Sequence, residues 1–434
     1  MTNSVATPEE FTQEYALDMD SKDELHHFRG RFYFPQKPKP NSIYFCGNSL
    51  GLQPKTAHYA IEQELNDWRD YAVEGHFLAK HPWFDYHKNL VPSLSRLLGC
   101  LDSEAVPMNT LTANIHLLMT SFYRPDSKRS KILIEGNAFP SDHYAVETQT
   151  KLHGIDPNTG IVELFPRSDE FTIRDEDIIG KIHELGESLS FILLGAVQYQ
   201  TGQFFDIPSI VDAAHQVGAV VCLDLAHAIG NVELKLHEWD VDCAVWCSYK
   251  YLNSGPGGVG GLYVHEKHGN NDNLLRLGGW WGVPEETRFL MKKGFIPAKG
   301  AQGWQLSNAQ VFQMAALKAS LDIFDEAGLG HLTKKSERLT GYAERLINDV
   351  VQHHPASAMK IITPSNPKQR GAQLSIAIES HGKDLHRILT SAGVISDWRE
   401  PNIIRIAPVP LYNSYYDVFM FAQILRQSAE NLWS

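Results

Sequence analysis

The sequence has few cysteines and no C-x-x-C pair among them. The five are Cys46, Cys100, Cys222, Cys243 and Cys247, an odd number that does not suit a disulfide framework. Several lie inside apolar runs such as VVCLD and CAVWC. We interpret them as buried, reduced thiols of a cytosolic protein, which argues against both disulfide bonding and a zinc knuckle.

Long apolar runs and an excess of positive charge are also missing. The longest apolar stretch, FILLGAV, is far shorter than the ~20 residues that a membrane-spanning helix needs. The acidic N-terminus lacks the apolar core of a signal peptide. A formal net charge of −12 argues against broad binding to nucleic acid or anionic membranes. We therefore predict a cytoplasmic protein with neither kind of partner.

The chain has no internal repeat, and its composition is that of an ordinary globular protein. Hydrophobic residues make up 43% and charged residues 21%, so disorder is not expected. Its 434 residues are too many for one core, because single cores stop growing near ~250–300 residues. We expect about two domains.

Up to about residue 265, short strand-like runs alternate with helical stretches. The predicted strands are KILIEG, ESLSFILLGAV, GAVVCLDLA, VDCAVWCS and GGLYVHE, and DIPSIVDAAHQVG has the apolar spacing of a helix. This alternation predicts an α/β fold with a mostly parallel sheet, whose ligand crevice lies at the carboxyl ends of its strands.

After about residue 308 the pattern changes to long helices and a few strands. Helices are predicted over 309–330, 331–354 and 382–394, and strands over 371–380 and 402–409. This order suggests a smaller α+β domain over 309–434. We predict a large domain over 48–308 and an N-terminal arm over 1–47 that packs with the small domain.

The most informative polar residues follow two neighbouring strands. Asp224 ends one strand, and Lys250 follows the next, 26 residues later. A lysine at that edge can form a Schiff base with an aldehyde cofactor, and pyridoxal 5'-phosphate also needs an anion against its ring nitrogen. His227 can hold the Asp224 carboxylate or contact the phenolic oxygen of the cofactor. Taken alone, a surface lysine and a helix cap would explain Lys250 and Asp224, but together they favour a pyridoxal phosphate site.

Two further segments can bind other parts of such a cofactor. In MNTLTANIHLLMTSFY, Leu111 and Thr112 begin a helix whose free N–H groups suit a phosphate, although a plain helix cap explains the pattern equally well. In AFPSDHYAVETQ, Phe139 can stack on a pyridine ring, and Ser141 or Asp142 can bond around it. The alternative for this segment is a capping box.

Two other motifs do not predict a ligand site. Residues 255–260 read as G-x-G-x-x-G, but a dinucleotide fingerprint must open a helix, and here a strand follows. The histidines at 26–27, 265–268 and 353–354 lack a consistent third ligand. We therefore expect solvated histidines and no metal.

Taken together, these segments resemble kynureninase, a pyridoxal phosphate-dependent hydrolase. The resemblance runs from IYFCGNSLGLQPK (43–55) to IRIAPVPLYNSYYDV (404–418), through NTLTANIHLLM, AFPSDHYA, TGQFFDI, DLAHAIGNVELKLHEWDVD, WCSYKYLNSGPGG and GGWWG. It implies the fold-type I, class V aminotransferase-like fold of pyridoxal phosphate enzymes. It also implies a cytoplasmic homodimer that acts in tryptophan catabolism or NAD biosynthesis.

The resemblance also implies a cofactor site. Its residues would be Leu111, Thr112, Phe139, Pro140, Ser141, Asp142, Asp224, His227, Tyr249, Lys250, Trp280 and Asn308. Lys250 would carry the cofactor, and Trp280 and Asn308 would come from the partner subunit. The sequence departs from the family at Gly195, where serine or threonine is common.

For the substrate, the resemblance places Arg405 on the α-carboxylate, which a guanidinium fork suits. Ser49, His76 and Asn308 match positions that line the aryl ring, and their polarity suggests that a 3-hydroxy group is accepted. Tyr249 joins Lys250 as a catalytic candidate for moving a proton, or it binds phosphate.

Two rival functions remain at this stage. A cysteine desulfurase or class V aminotransferase would share the fold, and a desulfurase needs a reactive cysteine, for which Cys46 in YFCGNS is the candidate. A non-catalytic scaffold would be expected to lose Lys250 or Asp224, and both are present.

Overall fold

The computed structural model describes residues 5–40 and 42–433; residues 1–4 and 41 of the predicted arm lie outside this range. Its strands are β1 (Ile43–Tyr44), β2 (Ala105–Pro107), β3 (Lys131–Glu135), β4 (Ile161–Leu164), β5 (Leu189–Gly195), β6 (Val220–Asp224), β7 (Cys243–Cys247), β8 (Gly260–Val264), β9 (Met359–Ile361), β10 (Leu374–Ile378), β11 (Val394–Ile395), β12 (Asp397–Arg399) and β13 (Ile403–Ile406).

The α-helices surround these strands, and the longest of them lie after residue 310. They are α1 (Gln13–Ser21), α2 (Ala57–Tyr71), α3 (Gly75–Leu78), α4 (Val91–Leu98), α5 (Leu111–Phe122), α6 (Pro140–Leu152), α7 (Pro157–Gly160), α8 (Asp175–Leu185), α9 (Ile207–Gln216), α10 (Glu266–Gly269), α11 (Glu285–Arg288), α12 (Val311–Ala327), α13 (Leu329–His353), α14 (Gly382–Ala392) and α15 (Tyr415–Trp433). Across the described ranges, none of the helices is both long enough and apolar enough to span a membrane.

The large sheet has the strand order β2-β8-β7-β6-β5-β3-β4. The pairs from β4 through β3, β5 and β6 to β7 are parallel, whereas β8 and β2 add antiparallel pairs at one side. All five predicted strands are present, and the mostly parallel α/β sheet is confirmed. Since β5, β6 and β7 are almost wholly buried, their continuous apolar runs are explained by helices covering both faces.

The glycine-rich segment 255–260 leads into β8 and not into a helix, as its sequence predicts. Gly255 and Gly257 have φ angles of +87° and +67°, values that side chains other than glycine rarely adopt. The segment is therefore a tight turn after Lys250.

The second sheet has the order β12-β13-β10-β9 and is antiparallel. Helix α15 packs against α13, α14 and α1, and together they cover this sheet. The predicted helix end near residue 330 is confirmed as the break between α12 and α13, where Gly328 has a φ of +74°.

The hydrophobic cores do not follow the predicted segments of the chain strictly. The core of the large sheet includes Phe28 and Phe32 of the arm and Phe324 of α12. The core of the small sheet includes Ala16 and Phe45. The arm thus contributes to both cores, and the proposed boundaries at residues 48 and 308 stay a prediction.

Candidate active site

A cavity opens at the carboxyl ends of the central parallel strands, where the sequence predicts one. Eight of the predicted cofactor-site residues line it, together with Gly195. Its full lining is Leu111, Glu135, Phe139, Ser141, Asp142, Gly195, Val197, Tyr199, Asp224, Ala226, His227, Cys247, Tyr249 and Lys250. Residues far apart in the chain therefore meet because parallel strands end at one edge.

Lys250 lies three residues after the end of β7 and points its amine at two side chains. Its Nζ lies 3.0 Å from His227 Nε2 and 5.7 Å from the centre of the Phe139 ring. The backbone N–H of Gly51 donates to Tyr249 O at 2.8 Å, which holds the turn that carries the lysine. The amine is therefore placed inside the cavity.

His227 contacts Lys250 instead of Asp224. Burial, followed by the charge of Lys250, lowers the pKa of His227 well below its ordinary value, so the imidazole is neutral near pH 7. Its Nδ1 is buried without a hydrogen-bond partner. Because buried polar atoms are normally paired, this nitrogen marks a place where a ligand atom can bind.

Three carboxyl groups lie together in the cavity. Burial raises the pKa of Asp224, Asp142 and Glu135, and like charges this close cannot all be ionised. Burial and the neighbouring Asp224 carboxylate raise the pKa of Asp142 well above its ordinary value. We assign the proton to Asp142, which donates to Asp224, while Asp224 also accepts the N–H of Ala226 at 2.7 Å.

Glu135 is a cavity residue that the sequence analysis missed. Its carboxyl oxygen Oε2 accepts the N–H of Gly195 at 3.2 Å, and both carboxyl oxygens lie 3.5–3.6 Å from where a Cβ on Gly195 would be. Glu135 ends the predicted strand KILIEG, so the rule that identified Asp224 would have found it too. The Glu135 carboxyl therefore fills the space beside Gly195, the position at which the sequence departs from the family pattern.

The first turn of α5 faces the same cavity. The helix begins at Leu111, and its N-cap residue Thr110 makes no side-chain capping bond, so the plain-cap alternative is not supported. Thr112 follows in the first turn. The free N–H groups at the start of this 12-residue helix are suited to a phosphate.

These groups fit pyridoxal phosphate. An amine, a buried carboxylate for the ring nitrogen, an unpaired imidazole nitrogen and a helix N-terminus surround one cavity. The Phe139 ring stands over the amine and meets the Tyr199 ring edge-on, with ring centres 5.3 Å apart. Burial raises the pKa of Tyr249, so its phenol is a protonated donor.

Arg405 is buried on β13, beside the cavity. Its Nη1 donates to Tyr199 O at 2.6 Å, and its Nη2 donates to Ser49 Oγ at 3.3 Å and to the Asp397 carboxylate. Arg405 and Ser49, which are both predicted from the sequence to bind the substrate, are thus adjacent. Asp397 was not predicted, and nothing in the sequence distinguishes it from an ordinary surface acid.

Of the predicted site residues that do not line the cavity, Thr112 and Pro140 adjoin lining residues in the chain, and Ser49 and Arg405 lie beside it. Three others lie elsewhere on their own chain. Asn308 is exposed. Trp280 is 51% exposed and packs against Phe289, with ring centres 5.5 Å apart. His76 contacts Phe77, and its Nδ1 donates to Val73 O at 3.0 Å. Their participation in the site stays a prediction.

The histidines of segment 265–268 are held by carboxylates. His265 is buried, so the expectation of a solvated side chain is wrong for it, and it forms a possible ligand group with His237 and Glu104. The sequence analysis missed this third ligand. However, His237 Nδ1 bonds Glu104 at 2.9 Å, and His265 Nδ1 accepts the N–H of Lys267. These nitrogens are already in use, so the group carries no argument for a metal.

Comparison with solved structures shows the fold. The protein is similar to a cysteine desulfurase from Escherichia coli, with a TM-score of 0.76, 17% identity and coverage of 94% of this chain and 99% of that one. It is also similar to a mutant of C-DES with glycine covalently linked to its pyridoxal phosphate cofactor, with a TM-score of 0.73, 16% identity and coverage of 89% and 96%. The fold is that of fold-type I pyridoxal phosphate enzymes.

Comparison of sequences is more specific. The family model for the kynureninase C-terminal domain matches residues 332–425. A kynureninase from Koribacter versatilis is 52% identical, over 95% of this chain and 96% of its own. One from Flavobacterium johnsoniae is 49% identical, over 96% and 98%. The chain therefore belongs to the kynureninase family of pyridoxal phosphate-dependent hydrolases.

Proposed function

We propose that this protein hydrolyses the Cβ–Cγ bond of L-kynurenine or 3-hydroxy-L-kynurenine. The products are anthranilate or 3-hydroxyanthranilate, together with L-alanine. The observation that carries the proposal is the placement of the Lys250 amine beside a neutral His227 and the buried Asp224 carboxylate in one cavity. Sequence identity to kynureninases over nearly the whole chain supports the same reaction.

Lys250 and Asp224 are the two residues that hold the cofactor. Pyridoxal phosphate, when bound, withdraws electrons from the Cα of an amino acid and so makes its protons acidic. Lys250 would hold the cofactor covalently through Nζ, and the Asp224 carboxylate would keep the ring nitrogen protonated. The first turn of α5 binds the phosphate.

The same lysine then moves the substrate proton. With an amino-acid substrate bound, the free Nζ of Lys250 would take the proton from its Cα. Neutral His227, 3.0 Å away, orients this amine without repelling its charge. Tyr249, protonated near neutral pH, donates its proton to the γ-carbonyl oxygen as water adds to the γ-carbon. The electron pair of the breaking Cβ–Cγ bond then stays on Cβ, which takes up a proton. The γ-carbon leaves as the carboxyl group of the aryl acid, and Lys250 returns a proton to Cα before alanine is released.

Arg405 binds the substrate α-carboxylate through charge-assisted hydrogen bonds. Ser49 lies within hydrogen-bond distance of that guanidinium. His76 and Asn308 bind the aryl ring and its 3-hydroxy group, and both come from the partner subunit. The partner also contributes Trp280 to the cofactor site.

A patch of exposed aromatic side chains supports this homodimer. Phe77 stacks on Phe84, Phe84 stacks on Phe289, and Phe289 contacts Trp280 edge-on, with ring centres 5.5–5.9 Å apart. Phe77 and Phe289 are more than half exposed, as is Trp280. Exposed apolar patches of this kind mark protein interfaces. Since His76 and Trp280 both border it, a second copy seated here brings them to the opposite cavity.

The cysteines argue against a desulfurase. Within the described residues none is exposed, whereas a reactive thiolate needs an accessible, electropositive site. Burial raises the pKa of Cys46 to about 12, and burial also raises the pKa of Cys247 in the cavity wall. Both are thiols at neutral pH. Such reduced cysteines agree with a cytoplasmic location, which we also propose.

The Lys250→Ala variant tests the function directly. We expect loss of the yellow absorbance of the lysine-bound cofactor and loss of alanine release from kynurenine. Borohydride reduction and peptide mapping of the unaltered protein should place the cofactor on Lys250. A Lys299→Ala variant, which removes an exposed lysine paired with Asp272, should behave as the unaltered protein. Colour and turnover retained in Lys250→Ala would refute the proposal.

A further inference from the structure

The Arg405 guanidinium is locked to a carboxylate on the neighbouring strand. Asp397 and Arg405 stand directly opposite each other on the antiparallel strands β12 and β13, so their side chains share one face of the sheet. They form a salt bridge in which 1% of the Arg405 side chain and 12% of the Asp397 side chain is exposed. The backbone register therefore fixes this pair.

One oxygen of Asp397 collects several donors. Its Oδ2 accepts the Ser49 hydroxyl at 2.5 Å and Arg399 Nη2 at 3.0 Å, besides Arg405 Nη2. Ser49 and Arg405 lie 356 residues apart in the chain. A single carboxylate therefore holds two groups that we assign to the substrate.

The anchoring leaves one guanidinium nitrogen of Arg405 without any partner. Nη1 donates to Tyr199 O, and Nη2 donates to Ser49 and Asp397. Nε, however, is buried and unpaired. A buried N–H without an acceptor costs free energy, so Nε marks the edge of the guanidinium at which a ligand oxygen would complete the hydrogen bonding.

The charges of the cluster favour an anionic ligand. Arg399 and Arg405 carry two positive charges against the one negative charge of Asp397. The arginines lower the pKa of the Asp397 carboxyl although burial opposes them, so this charge persists near neutral pH. A substrate carboxylate would neutralise the remaining positive charge. Asp397 thus orients the guanidinium without excluding the substrate.

We propose that Asp397 is a positioning residue for the substrate α-carboxylate. It holds Arg405 and Ser49 so that the unpaired Nε edge of the guanidinium meets the carboxylate. This inference rests on the proposed function, because it takes Arg405 as the carboxylate-binding group.

Two inhibitors isolate this contact in the holoenzyme. One is a kynurenine analogue that lacks only the α-amino group, and the other is the matching aryl ketone that lacks the carboxylate as well. Asp397→Asn should weaken binding of the acid about tenfold or more, which corresponds to the loss of a hydrogen bond to a charged group. Binding of the ketone should not change. It should also raise KM for kynurenine with kcat retained. A general structural defect would weaken the binding of both inhibitors to the same extent.

The control is Glu400→Gln, in the turn after β12, where the exposed carboxylate pairs with Lys383. It should preserve the preference for the acid. If the ratio of acid affinity to ketone affinity is the same in Asp397→Asn as in the unaltered protein, the inference is overturned. If Asp397→Asn does not fold, Asp397→Glu can replace it, because this variant displaces the carboxylate by one methylene. An unchanged ratio of acid to ketone affinity in Asp397→Glu would also overturn the inference.

Arg405→Ala separates failure of the inference from failure of the assignment beneath it. It should abolish the preference for the acid over the ketone. If the preference survives Arg405→Ala, then Arg405 does not bind the carboxylate, and that part of the proposed function is wrong. If Arg405→Ala abolishes it and Asp397→Asn leaves it intact, only the role of Asp397 is wrong.

Discussion

At the scale of the residue, Glu135 is a carboxyl group whose charge is costly. It is 4% exposed, and its carboxyl accepts the N–H of Gly195. Burial, reinforced by the charge of Asp224, raises its pKa from an ordinary value of 4.5 to about 8. A carboxyl group whose pKa is higher in the folded than in the unfolded chain destabilises the fold once the unfolded chain can ionise it. The contribution of Glu135 to stability is therefore full below pH 4.5 and is lost as pH rises towards 8.

We therefore predict that Glu135→Gln stabilises the cofactor-free protein at neutral pH. The amide keeps an oxygen for Gly195 and never ionises. The free energy of unfolding at pH 7 should rise by on the order of 3 kcal/mol, and the gain should vanish near pH 4. Denaturant unfolding at several pH values measures it. Glu187→Gln, at an exposed carboxyl, should show no such pH-dependent gain, and equal behaviour of the two variants would contradict the prediction.

Single residues could be predicted where the polypeptide imposes their position. Asp224 and Lys250 follow strand ends, and the parallel sheet brings all strand ends to one edge, so sequence alone indicated that they meet. Glu135 obeys the same rule. Asp397 could not be found in this way, because it meets Arg405 through strand pairing in the small sheet and meets Ser49 from a distant part of the chain. Local sequence does not determine the register of that pairing.

At the scale of the element, the loop before α2 supports the turn that carries the lysine. Gly51 is buried there and donates its N–H to Tyr249 O. A Cβ at Gly51 would lie 2.7 Å from Asn253 Cα and would also press on the carbonyl of Lys250. Since these contacts are backbone atoms, no side-chain rotation can relieve them.

Gly51→Ala should therefore move the turn over residues 250–253. We expect the free energy of unfolding to fall by about 1–3 kcal/mol, as for other overpacked sites, and the lysine-bound cofactor absorbance to decrease. Thermal unfolding and absorbance titration with pyridoxal phosphate measure the two effects. Gly30→Ala is the matched control, because a Cβ there has nothing within 4 Å. A Gly51→Ala protein with normal cofactor loading would disprove the coupling.

The elements themselves were predictable to different degrees. The five long apolar runs became strands because burial on both faces of a parallel sheet requires continuous apolar sequence. Strands such as β11 and β12, with two and three residues, are too short for any periodicity and exist only through their pairing partners. The arm likewise divides its side chains between two cores, a choice that tertiary packing makes.

At the scale of the whole molecule, three of the predicted site residues lie away from the cavity of their own chain. Trp280, His76 and Asn308 lie outside the cavity, and the first two border the aromatic patch of Phe77, Phe84 and Phe289. Sequence similarity can name such residues, but it cannot say which copy supplies them. Subunit mixing can.

We predict that mixed dimers of a Lys250→Ala chain and a Trp280→Ala chain regain activity that neither parent homodimer has. If each site combines Lys250 of one chain with Trp280 of the other, one of the two sites in a mixed dimer is intact. Isolation of mixed dimers through two different affinity tags, followed by assay of alanine release, measures this. Lys250→Ala mixed with Arg405→Ala is the control, because Arg405 reaches the cavity of its own chain through Tyr199, and every mixed site then lacks one group. Inactive mixed dimers of the first pair, from inactive parents, would place Trp280 at the site of its own chain and remove the reason for an interface site.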